Sequence, residues 1–238
     1  LEKLAAIYQR ALERKGGEEQ LELLLTPYQT LTNSTAELAA LGHDRFLAEF
    51  TKKVFQSGFV WRVVENKWPG FEEHFFDFNI EKILMMSDEM LETKAQDPKI
   101  IRNFNKVKTI KANAHMIYDV NLEQGDFAKF IANWPSEDII GLWAFLKKHG
   151  QRLGGNTGPY ALRALGKDTF LLGRDVESYF RNYDLISGGI NTKSSLNTIQ
   201  ACFNDWQQQS GYSLMKISRL IALSIGDNYL HAEQVESN

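Results

Sequence analysis

Apolar residues return at helical intervals along almost the whole chain, and no alternating apolar and polar run is long enough to specify a strand. Leu4, Ile7, Ala11 and Leu12 share one helical face, which Gly16-Gly17 ends. Ser34-Thr35-Ala36-Glu37 fits a capping box, in which the serine and glutamate side chains satisfy each other's free backbone N–H groups. Phe46, Leu47, Phe50, Val54 and Phe55 form an apolar stripe that stops at Gly58, a residue suited to a left-handed helix end. Asp97-Pro98 predicts a further helix start, with proline in the first turn. The same reasoning predicts helices over 136–149, 160–165, 175–183, 191–210 and 214–225. The fold class is therefore all-α. A single domain over 1–238 is expected, as a two-lobed helical bundle with lobes 1–50 plus 180–238 and 51–180.

With 238 residues the chain is long enough to bury a sizeable core. Its single cysteine, Cys202, excludes an internal disulfide and a Cys-rich zinc finger. No apolar run approaches the roughly 20 residues of a membrane helix. The N-terminal LEKLAAIYQRALERK carries charges throughout, where a signal peptide needs an apolar centre, so a cytoplasmic location is expected.

The net charge of −3 argues against nucleic acid, but its distribution reverses that impression. Acidic residues dominate 65–97, whereas Lys99, Arg102, Lys106, Lys108 and Lys111 follow with no acid among them. Six more cations lie between Lys147 and Arg174, against only Asp168. One basic side is implied, with Arg102, Lys106 and Lys108 as candidate phosphate ligands.

Three constellations could carry chemistry. The run Gln56-Ser57-Gly58-Phe59-Val60-Trp61 sets bulky groups beside a glycine that could adopt positive φ. Enzymes that act on a base must extrude it and hold it against flat side chains. Phe55, Phe59, Trp61, Phe71, Phe75, Phe76 and Phe78 also suit a packed core, and Phe75, Phe76 and Phe78 are expected there. The second constellation is Arg152-Leu153-Gly154-Gly155-Asn156-Thr157-Gly158-Pro159-Tyr160, where N–H groups at Gly155, Thr157 and Gly158, leading into a helix, could hold phosphate. The third is Asp175, 175 − 158 = 17 positions beyond Gly158, which could serve as a helix N-cap or as a carboxylate facing a cleft.

Residues 56–114, from QSGFVWRVVENKWPGFEEHFF to DPKIIRNFNKVKTIKANA, resemble the DNA-3-methyladenine glycosylase I family without a gap. The glycine turn and Asp175 look like the second hairpin and following acid of the wider helix-hairpin-helix glycosylase superfamily. The resemblance implies a repair glycosylase that hydrolyses the N-glycosidic bond of N3-methyladenine-like bases in duplex DNA. In that reading Gln56 and Phe59 plug the gap in the duplex, Trp61 and Tyr160 cradle the base, and the 155–158 turn grips phosphate. Asp175 would stabilise positive charge developing on the sugar and orient water.

The chain departs from the family at three points. Lys53 stands where the family has a base-reading glutamate, and a lysine offers three donors and no acceptor. Cys202 with His43, His74, His115, His149 and His231 lacks the spacing of the family's zinc site, so no metal or other cofactor is expected. Pro159-Tyr160 falls where strand-cutting relatives carry a nucleophilic lysine, which implies an enzyme without lyase activity. A monomer without membrane association is expected. Two alternatives remain open at this point: a non-catalytic binder of damaged or distorted DNA on the same scaffold, and a helical protein-interaction domain.

Overall fold

A computed structural model describes residues 1–225, apart from the side chains of Gln29 and Thr30. Among these residues there are fourteen α-helices and no strand, as the periodicity predicts. No helix among them is long and apolar enough to cross a membrane.

The chain divides into two compact units at other limits than 50 and 180. The first comprises Leu1–Asn33, Pro135–Ile140 and Gly166–Asn238; the second comprises Ser34–Trp134 and Gly141–Leu165. In the first unit, α1 (Leu4–Lys15) and α2 (Glu18–Thr30) pack with α12 (Arg174–Asn182), α13 (Lys193–Ser210) and α14 (Leu214–Ser224). Its core contains Ile7, Leu21, Phe170, Tyr179, Phe203, Trp206 and Leu220. α1 ends at Gly16 as expected, and that glycine is left-handed with φ 85°.

The second unit holds α3 (Thr35–Ala39), α4 (His43–Gln56), α5 (Trp61–His74), α6 (Ile80–Leu84), α7 (Asp88–Lys94), α8 (Phe104–Gln124), α9 (Phe127–Asn133), most of α10 (Ile139–His149) and α11 (Thr157–Ala164). The predicted capping box opens α3: Ser34 accepts from the Glu37 N–H, and the Glu37 carboxylate accepts from the Ser34 N–H at 2.8 Å. Every member of the apolar stripe on α4 is fully buried, and α4 packs on α8 and α11. The expected helix-hairpin-helix consists of α10, the 150–156 turn and α11.

Two local expectations change. Asp97-Pro98 does not start a helix. α8 begins at Phe104 with Asn103 as its N-cap, and Asp97 instead accepts from the Lys99 N–H and pairs with His74 at 2.9 Å. The glycine after α4 is not left-handed either. Ser57 caps that helix with φ −70°, and Gly58 is not among the positive-φ residues.

Candidate functional site

Two turns of the second unit carry most of the predicted site residues, and α8 stands behind both. The first joins α4 to α5. Trp61 opens α5 and is 52% exposed, next to Val60 at 70%. The Lys53 ammonium, near the end of α4, sits 5.0 Å from the centre of the Trp61 ring. Tyr160 meets the same ring edge-on at 6.1 Å. Lys53, Trp61 and Tyr160, which the sequence sets well apart, are thus brought together around one accessible indole.

Lys53 is not an isolated charge. It pairs with Glu49 at 3.2 Å, one helical turn earlier, and donates to the Gln56 side-chain oxygen at 2.9 Å. The Gln56 amide donates in turn to Glu65 at 3.0 Å, and Glu65 also pairs with Lys52 at 3.3 Å. Two acids and two lysines therefore balance in this network, with the Lys53 ammonium over Trp61 and the Lys52 ammonium over Trp68 at 4.6 Å. The sequence reading missed Glu49 and Glu65. The signal for Glu49 was the spacing of opposite charges three to four residues apart on one helix face, which places it within reach of Lys53.

Several candidate residues occupy other roles than expected. Gln56 was expected to plug a duplex, yet it is buried in this network, at 6% exposure. Phe59 is only partly exposed, because its ring stacks on Phe55 at 6.4 Å. Phe71, Phe75 and Phe78 are core, whereas Phe76 is exposed and flanked by the ammonium groups of Lys82 and Lys94. Lys106 was expected on the phosphates, but it is 6% exposed and its ammonium donates to the Val54 carbonyl at the end of α4. Burial, and next the charge of Arg152, hold that ammonium below the ordinary lysine range. Gly58 leaves the space it occupies: a Cβ there would lie 2.9 Å from the Lys106 nitrogen. Arg102 and Lys108 remain exposed.

The second turn, residues 150–156, is held by backbone bonds. The Gly158 N–H donates to the Leu153 carbonyl at 3.1 Å and the Thr157 N–H to Gly154 at 3.3 Å. Those two N–H groups are therefore spent inside the turn, which corrects their assignment as phosphate donors. Gly158 is needed for close approach, since a Cβ would meet the Leu153 oxygen at 2.5 Å. Gly155 is exposed with φ 60°, and the non-glycine Arg152 shares that left-handed region at φ 59°. Asn113 of α8 fixes the turn's approach: fully buried, it accepts from the Gln151 N–H at 2.7 Å and donates to the Gln151 carbonyl at 3.2 Å.

Asp175 belongs to the first unit. It lies in the first turn of α12, whose N-cap is Gly173, so the N-cap assignment is corrected. It is half-buried, and its charge acts on Lys15 of the same unit. Among the described residues no three His, Cys, Asp or Glu side chains gather as a metal site would require. Cys202 is buried with its thiol pushed up to about 11 by desolvation, and His231 lies outside the described residues.

Residues 42–157 match the family model for methyladenine glycosylase. A crystal structure of 3-methyladenine DNA glycosylase I is similar at 24% identity and a TM-score of 0.44, over 51% of this chain and 78% of that one. The Staphylococcus aureus enzyme, whose structure concerns 3-methyladenine recognition, is 21% identical with a TM-score of 0.45, over 51% and 75% of the two chains. A tyrosine-to-phenylalanine variant of 3-methyladenine DNA glycosylase I in complex with 3-methyladenine is 22% identical at 0.45, over 57% and 78%. No curated protein matches the chain. Residues 42–157 are therefore similar to the methyladenine glycosylases, a family of DNA glycosylases, over just under half of the chain.

Proposed function

We propose that the protein is a monofunctional, monomeric repair glycosylase of the cytoplasm that removes N3-methyladenine-like bases from duplex DNA. The observation that carries this reading is the accessible Trp61 ring with the Glu49–Lys53 pair at its face. An extruded base would stack on the indole, a contact worth about 1–3 kcal/mol. An adenine edge shows a ring-nitrogen acceptor beside an amino donor. Lys53 supplies a donor and Glu49 an acceptor 3.2 Å away, so the pair matches that edge, and the Glu49 carboxylate favours a cationic lesion. The acid absent at position 53 is thereby made good one turn earlier. Exposed Arg102 and Lys108 are the phosphate ligands, together with the Gly155 backbone. Phe59 and Val60 form the wedge. Asp175 is retained as the charge-stabilising carboxylate on its order in the sequence, and Pro159-Tyr160 in place of a lysine supports hydrolysis without strand cutting.

Methylated duplex incubated with the full chain is expected to release 3-methyladenine, identified by chromatography, and to break at the same sites only after alkali treatment. Lysine positioned over the Trp61 ring also suits a binder that never admits a base. Saturable binding to methylated duplex, with no alkali-sensitive site formed, would establish that second reading instead. For Asp175→Ala, excision is expected to fall sharply with DNA affinity retained; unchanged single-turnover release removes that residue from the mechanism.

A further inference from the structure

Lys106 and Asn113 are 113 − 106 = 7 residues apart on α8, two helical turns along one face and roughly 10 Å in rise. Both are polar, both are buried, and neither is explained by binding DNA directly. The Lys106 ammonium reaches the carbonyls of Val54 and Phe55, the Ser57 hydroxyl at 3.4 Å and the face of Phe59 at 5.3 Å. At the α4 end the Val54 carbonyl also accepts from the Ser57 hydroxyl at 2.8 Å and the Phe55 carbonyl from the Gly58 N–H at 3.2 Å, and a cation is favoured at such a helix C-terminus. Gly58 supplies an independent sign of the same arrangement, because any larger residue would press on the ammonium. Two turns further along, Asn113 spends its amide on both backbone groups of Gln151. The charge of Arg152, in the second turn, also acts on Lys106.

We infer that Lys106 and Asn113 are a pair of positioning residues through which α8 fixes the wedge-and-stacking turn and the phosphate turn at a set separation. The inference rests on the glycosylase reading. It assigns the two anchors different tasks: Lys106 governs how the base is extruded and held, and Asn113 governs how the backbone is gripped.

The test uses the full chain with methylated duplex for single-turnover release, and a duplex bearing a non-cleavable abasic analogue for affinity. Lys106→Met, which keeps the length and loses the donors, is expected to lower release at saturating DNA by about tenfold or more, with affinity within about twofold of wild type. Asn113→Ala is expected to weaken affinity, with release at saturation largely kept. Gly58→Ala should mimic Lys106→Met in the wild type and add nothing in the Lys106→Met background. It also supplies the test if the methionine variant does not fold. Equal losses of rate and affinity in both variants, tracking only their melting temperatures, would overturn the inference, as would wild-type release by Lys106→Met. A wild type that releases no base defeats the glycosylase reading instead. The pair is then decided by 2-aminopurine beside the abasic analogue: unstacking that is lost in Lys106→Met supports it, and unstacking that persists overturns it.

Discussion

At the turn between α4 and α5 glycine makes room for another residue's side chain, whereas at the turn between α10 and α11 it serves the backbone itself. Gly58 has ordinary φ, and a Cβ on it would crowd the Lys106 ammonium at 2.9 Å. Gly155 is left-handed with open space around it, and Gly158 lets its own chain fold back onto the Leu153 carbonyl. The first turn is therefore defined from outside, by a residue 49 positions later that reaches Ser57. The second is largely self-contained, with Asn113 fixing only its approach. A glycine in a sequence announces that something needs space or freedom without saying which.

The contrast can be broken or sharpened by substitution. The largest effect is expected at Trp61→Ala, where loss of the stacking surface should cut single-turnover excision by about 10- to 100-fold. Stability should change little, because the indole is half-exposed; a large drop in melting temperature would mean that Trp61 is structural. Gly158→Ala comes next. Its Cβ would meet a backbone oxygen that cannot easily retreat, so chemical denaturation should show a loss of about 1–3 kcal/mol. Gly155→Ala meets nothing, and only its left-handed backbone is penalised, by about 1–2 kcal/mol. If Gly58→Ala cost as much stability as Gly158→Ala, the distinction between the two turns would fail, since a flexible ammonium can move aside and a carbonyl cannot.

The smallest expected effect concerns pH. The folded Lys106 pKa lies below its ordinary value of 10.5. Between the lowered value and 10.5 the unfolded chain binds more protons than the native one, so this residue makes stability rise with pH across that window. Below the window the cost of burying the charge is fully present. Denaturation curves should therefore show the wild type gaining stability relative to Lys106→Met as pH rises toward 10.5.

Much of the fold was legible because helix ends and faces are local signals. The Ser34 capping box, the α4 stripe and the end of α1 at Gly16 each depend on residues within a turn or two. The family resemblance drew attention to Trp61, whose indole is exposed beside Lys53 and Tyr160. What could not be read was which polar side chains turn inward. Gln56 and Lys106 look like surface residues, and their burial is tolerable only because each finds partners. For Lys106 those partners are backbone carbonyls about fifty positions away, which leave no trace in the sequence. For Gln56 the partners, Lys53 and Glu65, were in view, but their mutual geometry depends on where α5 begins.

The stretch that matches the family ends inside α11, yet α11 packs on α4 and belongs wholly to the second unit. Its opening limit, at residue 42, likewise falls after α3 of that unit. Along its length the polypeptide passes from one unit to the other four times, at residues 33/34, 134/135, 140/141 and 165/166. A fragment trimmed to the matching residues would lose Tyr160 and would keep 135–140 without the rest of their unit. No single cut isolates either half: the shortest continuous piece that holds the second unit whole, residues 34–165, also carries 135–140 of the first, and the first unit can be kept whole only by keeping the entire chain.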